Sequence, residues 1–145
     1  MAETLGSLCD KLTIVKLKQH HCDSEEKAAS LARQAVQLAA EIDAFVEDAV
    51  SGRIPLERLA FAANKVYRPE GNELAPVPEG AIGEAFAELS KVNCDLWHEQ
   101  EKVYVFESVP AGEKDAVVKQ LALLNLRRNQ CIDAIDKALI KQLKD

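Results

Sequence analysis

The stretch Val117-Val118-Lys119-Gln120-Leu121-Ala122-Leu123-Leu124-Asn125-Leu126-Arg127-Arg128-Asn129-Gln130-Cys131-Ile132-Asp133-Ala134-Ile135-Asp136-Lys137-Ala138-Leu139-Ile140-Lys141-Gln142-Leu143 decides the fold class. At about 100° per residue, Val117, Leu121, Leu124, Ile132, Ile135 and Leu139 share one face of a long helix. Asn125 and Arg128 fall inside the same arc, with Asn129 beside them. A guanidinium turned toward a core needs a carboxylate, carbonyls or a bound anion, because an unpaired buried charge costs several kcal/mol. Arg127 falls outside the arc and reads as a surface charge. Asp136 returns near it, too far along the axis to pair with Arg128 on the same helix.

Working back toward the N-terminus, the other segments repeat the helical period. The first helix is expected from the N-cap Thr4 to about His21, with Leu5, Leu8, Leu12 and Val15 on one side and Ile14 and Leu17 almost opposite. A helix apolar on two sides is either central or shared with another subunit. Asp10 lies on that second side, where a solvated carboxylate is the simpler reading. Asp23 and Glu26 suggest a capping box for a second helix through Leu31, Leu38, Ile42, Phe45 and Ala49, ended by Ser51-Gly52. A short helix is expected from Pro55 through Leu59 to Ala63. Between Lys65 and Gly80 the prolines and glycines break every period, which predicts a long loop with Tyr67, Arg68 and Asn72 as its contact candidates.

The fourth segment, Ile82 to Phe106, carries Phe86, Leu89, Val92, Leu96 and Val103 on a broad apolar face. Asn93 and Gln100 point to the same side with Trp97 between them, the spacing of a polar pocket or of two amides that fix register. His98 points away. Glu99 and Glu101 sit on opposite rims, either able to reach Arg128. Val109-Pro110 separates this segment from the last. The chain therefore reads as all-α, one domain over residues 1–145: an antiparallel bundle of four principal helices plus one short helix, with a long Pro/Gly-containing loop.

Composition narrows the function classes. With 145 residues, 48% hydrophobic and 29% charged, the chain has room for one substantial core. A net charge of −6 argues against nucleic acid or another polyanion as partner, while leaving room for a local basic pocket. No segment is long and apolar enough to span a bilayer, and Glu3, Asp10 and Lys11 do not make a signal peptide, so a cytoplasmic protein is expected. Cys9, Cys22, Cys94 and Cys131 have no CxxC spacing and read as reduced thiols. Neither a metal site nor a cofactor is expected, since His20, His21 and His98 add no ligand spacing.

There is an internal echo: Leu12-Thr13-x-Val15 followed by His21 matches Leu89-Ser90-x-Val92 followed by His98, which would make Lys16 the counterpart of Asn93. Three segments also resemble a family. Leu8-Cys9-Asp10-Lys11-Leu12-Thr13-Ile14-Val15-Lys16-Leu17-Lys18, Asn93-Cys94-Asp95-Leu96-Trp97-His98-Glu99-Gln100-Glu101-Lys102 and Leu124-Asn125-Leu126-Arg127-Arg128-Asn129 resemble uncharacterised bacterial helical proteins often encoded beside glycosyltransferases in polysaccharide loci. The relatives read Leu-Trp-His where this chain has Gln19-His20-His21. The resemblance covers both ends of the chain and implies a cellular setting, with a glycosyltransferase-type partner, more than a chemistry. It groups Asp10, Lys11, Asn93, Trp97, Glu101, Asn125, Arg128 and Asn129 as one constellation.

Three function classes follow. The first is an accessory, non-enzymatic binding module: Arg128 takes a small anion such as a sugar nucleotide or sugar phosphate, Asn93, Gln100, Asn125 and Asn129 orient polar groups, and Trp97 stacks. Asp10 or Glu101 then fixes the arginine when the site is empty. The second is a homodimerisation module using the second face of the first helix. The third is a magnesium-dependent all-α nucleotide pyrophosphohydrolase, for which Glu25, Glu26, Glu41 and Asp43 are superficially suitable but off the apolar face.

Overall fold

The computed structural model describes residues 2–61, 76–77 and 80–145. Among these residues it is all-helical: α1 (Leu5–His20), α2 (Glu25–Val50), α3 (Ile82–Tyr104) and α4 (Lys114–Lys144), with 3-10 turns at Leu56–Arg58, Phe106–Ser108 and Ala111–Glu113. The expected loop over 65–80, with Tyr67, Arg68 and Asn72, falls largely outside the described residues, as does the end of the short helix at Ala63. No helix among the described residues is long and apolar enough to cross a membrane.

Local chemistry sets the helix ends. Thr4 caps α1 as expected and forms a reciprocal box with Ser7, whose hydroxyl accepts from the Thr4 N–H at 2.7 Å. α2 starts one residue later than expected: Ser24, not Asp23, is the cap, accepting from the Lys27 N–H at 3.4 Å, and Glu25 and Glu26 sit in the first turn where the helix dipole favours them. Gly52, at φ 81°, turns the chain out of α2. The helix expected from Pro55 is a single 3-10 turn. So short a segment cannot offset helix nucleation, and it is held instead by Leu59, which has no exposed surface. α3 stops two residues before Phe106 and tightens into a 3-10 turn ahead of Val109-Pro110, where the proline restricts its predecessor to extended geometry.

α3 packs along α4, and α1 packs against α2, α3 and α4, so α1 is the central helix. That is why it is apolar on two sides. The core joins Leu5 and Cys9 of α1, Leu89 and Val92 of α3, and Leu124, Ile132, Ile135 and Leu139 of α4. The principal neighbour of α2 is α1, with Ile42, Phe45 and Val46 leaning on the core.

Two features of the α1–α4 contact carry no sequence signal. Gly6 is buried where a Cβ would stand 2.4 Å from the Ile132 carbonyl oxygen, so the backbones meet there only because residue 6 has no side chain. Asp136, 1% exposed, accepts the Gly6 N–H at 2.7 Å through Oδ1, while its buried Oδ2 has no hydrogen-bond partner among the described residues. Burial pushes the Asp136 carboxyl up to about 6; the Gly6 N–H and the Thr4 side chain oppose this, and Asp133 adds to it.

Gly6→Ala is expected to lower stability by about 1–3 kcal/mol, the usual cost of overpacking, because α1 must move off a backbone oxygen of α4; equilibrium urea unfolding measures it. The raised Asp136 carboxyl gives a signed pH effect. A folded value near 6 against an ordinary 3.8 means the folded state binds the proton more tightly. The destabilisation is therefore complete above pH 6 and relieved as pH falls through 6 toward 4. Relative to Asp136→Asn, the wild type should gain stability as pH falls from 7 to 5, by about 1.4 kcal/mol, and parallel curves for the two proteins would refute the assignment.

Candidate functional site

Arg128 is turned inward from α4 and meets Asp10 of α1 edge to edge. Nε donates to Asp10 Oδ1 at 2.8 Å and an Nη donates to Oδ2 at 2.6 Å. The Asp10 side chain is 5% exposed and the Arg128 side chain 34%. The two-pronged hydrogen bond to Asp10 raises the Arg128 pKa above its ordinary value against the opposing effect of burial.

Asn93 of α3 completes the arrangement from the third helix. Its Nδ2 donates to Asp10 Oδ1 at 2.9 Å and to Thr13 Oγ1 at 2.7 Å, while the Thr13 hydroxyl donates to the Asp10 carbonyl at 2.7 Å. The ionised Asp10 only accepts, and Thr13 has spent its one proton on a carbonyl. Both neighbours therefore require donors, which fixes the amide with Nδ2 toward α1. The buried Asn93 Oδ1 then lies on the other side with no hydrogen-bond partner among the described residues.

Arg128 lines two depressions. One is a pocket of about 170 Å³ bordered by Ile14, Asn93, Leu96, Trp97, Gln100 and Asn125. The other is a groove of about 380 Å³ between α1 and α2, bordered by Asp10, Lys11, Ile14, Lys18, Gln34 and Gln37 among others. Two of the five guanidinium N–H groups hold Asp10, and the remaining three have no partner among the described residues.

The sequence-derived candidates separate into three groups. Asp10, Asn93 and Arg128 are hydrogen-bonded to one another, and Trp97, Gln100 and Asn125 surround the smaller pocket with Asn93 and Arg128. Lys11 borders the larger groove and pairs with Glu3. Three others sit elsewhere. Glu101 is exposed beside His98 at 3.4 Å and Glu99 pairs with Lys102 at 2.9 Å, so neither reaches Arg128, and Asp10 is its carboxylate. Lys16 is exposed over a separate groove with Leu12, Leu17 and Phe86. Asn129 donates to the Asn125 carbonyl of its own helix at 2.8 Å.

Other readings change as well. Asp10 is a buried ion-pair partner, not a solvated carboxylate. Arg127 is no surface charge: it meets Glu88 at 2.7 Å, with both side chains about four-fifths covered. His21 stacks on Trp97 at 4.7 Å and 9°, occupying one indole face, and touches His98 edge-on at 6.2 Å, so the two histidines matched by the internal echo are in contact. Burial pushes the Cys9 and Cys131 thiols up to about 11, which leaves both protonated and poorly nucleophilic at neutral pH. Thr13 was not anticipated; its place one turn after Asp10, on the same side of α1, is the signal that points to it. Compared with family models, curated proteins and solved structures, the chain matches none.

Arg128→Met should lower stability by about 2–3 kcal/mol, less than the roughly 3–5 for a fully buried pair because a third of the arginine side chain is in water. Asp10→Asn/Arg128→Met should recover part of that loss, since asparagine at position 10 can still accept from Asn93. A double-mutant cycle by urea unfolding checks this; additive costs would mean that the pair is not coupled.

Proposed function

We propose that this protein is a non-enzymatic binding module that recognises an anionic group, phosphate or carboxylate, at Arg128. The observation that carries the reading is the divided guanidinium: two donors are held by the buried Asp10, and three have no partner among the described residues, on a side chain that lines both depressions. Such a group is preorganised, because its orientation is fixed before any ligand arrives. Asn93, Gln100 and Asn125 supply polar contacts in the smaller pocket and Lys11 and Lys18 add positive charge in the larger groove. A small sugar phosphate or sugar nucleotide fits this chemistry, and the family resemblance supports a setting in bacterial surface-polysaccharide assembly.

The reading uses the helices as an antiparallel bundle. The order of the α1–α4 contacts supports this, since Gly6 meets Asp136 and the later Asp10 meets the earlier Arg128. The case for a homodimer rested on the second apolar side of α1, and α1 packs against all three other helices. The carboxylates considered for a pyrophosphohydrolase, Glu25, Glu26, Glu41 and Asp43, are all exposed, and among the described residues no three His, Cys, Asp or Glu side chains converge as metal ligands would.

A ligand bound only by the folded state at a hundred times its Kd stabilises it by about 2.7 kcal/mol. In a thermal-shift series with sugar phosphates, sugar nucleotides and inorganic phosphate, the wild type should show a saturable rise in Tm. Asp10→Asn/Arg128→Met, which removes the cation without leaving its carboxylate behind, should show none; an equal rise in that variant would refute the site.

A further inference from the structure

The Arg128 groove does not stop at Lys18. Lys18 and Gln34 also border a second depression, of about 340 Å³, which runs on past Lys27 and Leu31 to His21 and Trp97. The two adjoin at Lys18 and Gln34 and together make a trough along α1 and α2. From Lys11 to His21, the residue that caps the end of α1, it runs about 15 Å at 1.5 Å per residue.

Its walls have the pattern of a helix seat. On α1, Lys11 and Lys18 are seven residues apart, two turns, and so share one face about 10 Å apart, with Ile14 and Val15 between them. On α2, Lys27, Leu31, Gln34 and Leu38 repeat at the same helical spacing. The floor is therefore aliphatic and the rim cationic: Lys11, Lys18, Lys27 and Arg128. The carboxylates that border it are Asp10, already committed to Arg128, and Asp23; Glu3 holds Lys11, and Glu41 accepts from Gln37 at 3.1 Å. Lys18 and Lys27 have no ion-pair partner among the described residues, in a chain whose net charge is −6.

We propose that this trough docks an acidic amphipathic helix of another protein. Two turns separate the rim lysines, so carboxylates two turns apart on one flank of the incoming helix meet Lys11 and Lys18, and its leucine-type stripe covers Ile14, Val15, Leu31 and Leu38. Lys27 faces its other flank, and one carboxylate takes the open donors of Arg128. Charge complementarity selects this occupant: a basic or neutral helix would leave Lys18 and Lys27 without an ion-pair partner. The inference rests on the anion reading above and names the bearer of the anion as a protein carboxylate.

The test uses a fluorescein-labelled, stapled helical peptide about four turns long, with glutamates two turns apart beside a leucine stripe, and a matched peptide with lysines in place of the glutamates. Fluorescence anisotropy should show the glutamate peptide binding the wild type and weakening with added salt. Lys18→Glu/Lys27→Glu should weaken it about tenfold or more, and the lysine peptide should bind that variant better than it binds the wild type. Circular dichroism checks that the variant folds. Equal binding of both peptides to the wild type, or no effect of Lys18→Glu/Lys27→Glu, overturns the proposal. If inorganic phosphate or sugar phosphates raise the Tm through Arg128 while the peptide does not bind, the docked helix is refuted and the anion reading stands. If neither probe responds, both fall. Sedimentation showing dimers that Lys18→Glu/Lys27→Glu dissociates would give the trough to a second copy of this chain and refute an acidic partner.

Discussion

The ion pair between Asp10 and Arg128 is the constraint on which the arrangement of α1, α3 and α4 depends. A carboxylate with 5% of its surface in water must be matched by a cation and by further donors, or it would protonate or the helices would part. Here the match comes from residues 83 and 118 positions away in the chain, Asn93 and Arg128. Because each helix turns about 100° per residue, a slip of one residue in any of the three would carry its member out of reach. Apolar packing tolerates such slips far better than a set of directed hydrogen bonds does. The polar centre thus sets the register that the aliphatic core alone leaves loosely determined.

The same reasoning explains what was legible in the sequence. Helix positions and most ends follow from a repeated local period and from caps whose partners lie within four residues, as Thr4 and Gly52 show. Arg128 was legible because an arginine in the middle of an aliphatic stripe conflicts with its surroundings, and that conflict is visible from one helix. Its resolution is not. Asp10 sits in the early turns of α1, where acidic residues are ordinary, and only the fold shows that α1 is covered on both sides. Glu101 looked equally eligible because helical spacing fixes the direction of a side chain but not which neighbour stands opposite.

Gly6 and Asp136 show a stricter limit. A glycine inside a helix reads as a small helix-weakening residue, and an aspartate near the edge of an apolar arc reads as a rim charge. Their meaning is mutual: the missing Cβ lets the backbones approach, and the buried first-turn Gly6 N–H then donates to Asp136. No periodicity on either helix encodes that meeting. Arg127 and Glu88 were missed for a related reason, since the edge of an apolar arc is surface or interface depending on how wide the neighbouring helix is.

Arginine at position 128 does what lysine could not. A lysine ammonium is a compact point charge that would satisfy Asp10 and present no fixed second face. The planar guanidinium commits one edge, Nε and one Nη, to the carboxylate, and the rigidity of the plane then aims the remaining donors as a consequence of the structural bond. If Arg128 binds an anion as proposed, fold and recognition are coupled through one side chain, and removing it alone cannot separate them. Lys18 and Lys27 lie outside that coupling: they are exposed and hold no helix in place among the described residues, so reversing them changes the charge of the trough while leaving the Asp10 pair intact. Specificity that can be changed without touching the core is specificity carried by the rim, and in this protein the rim is where an anionic partner would be distinguished from a neutral one.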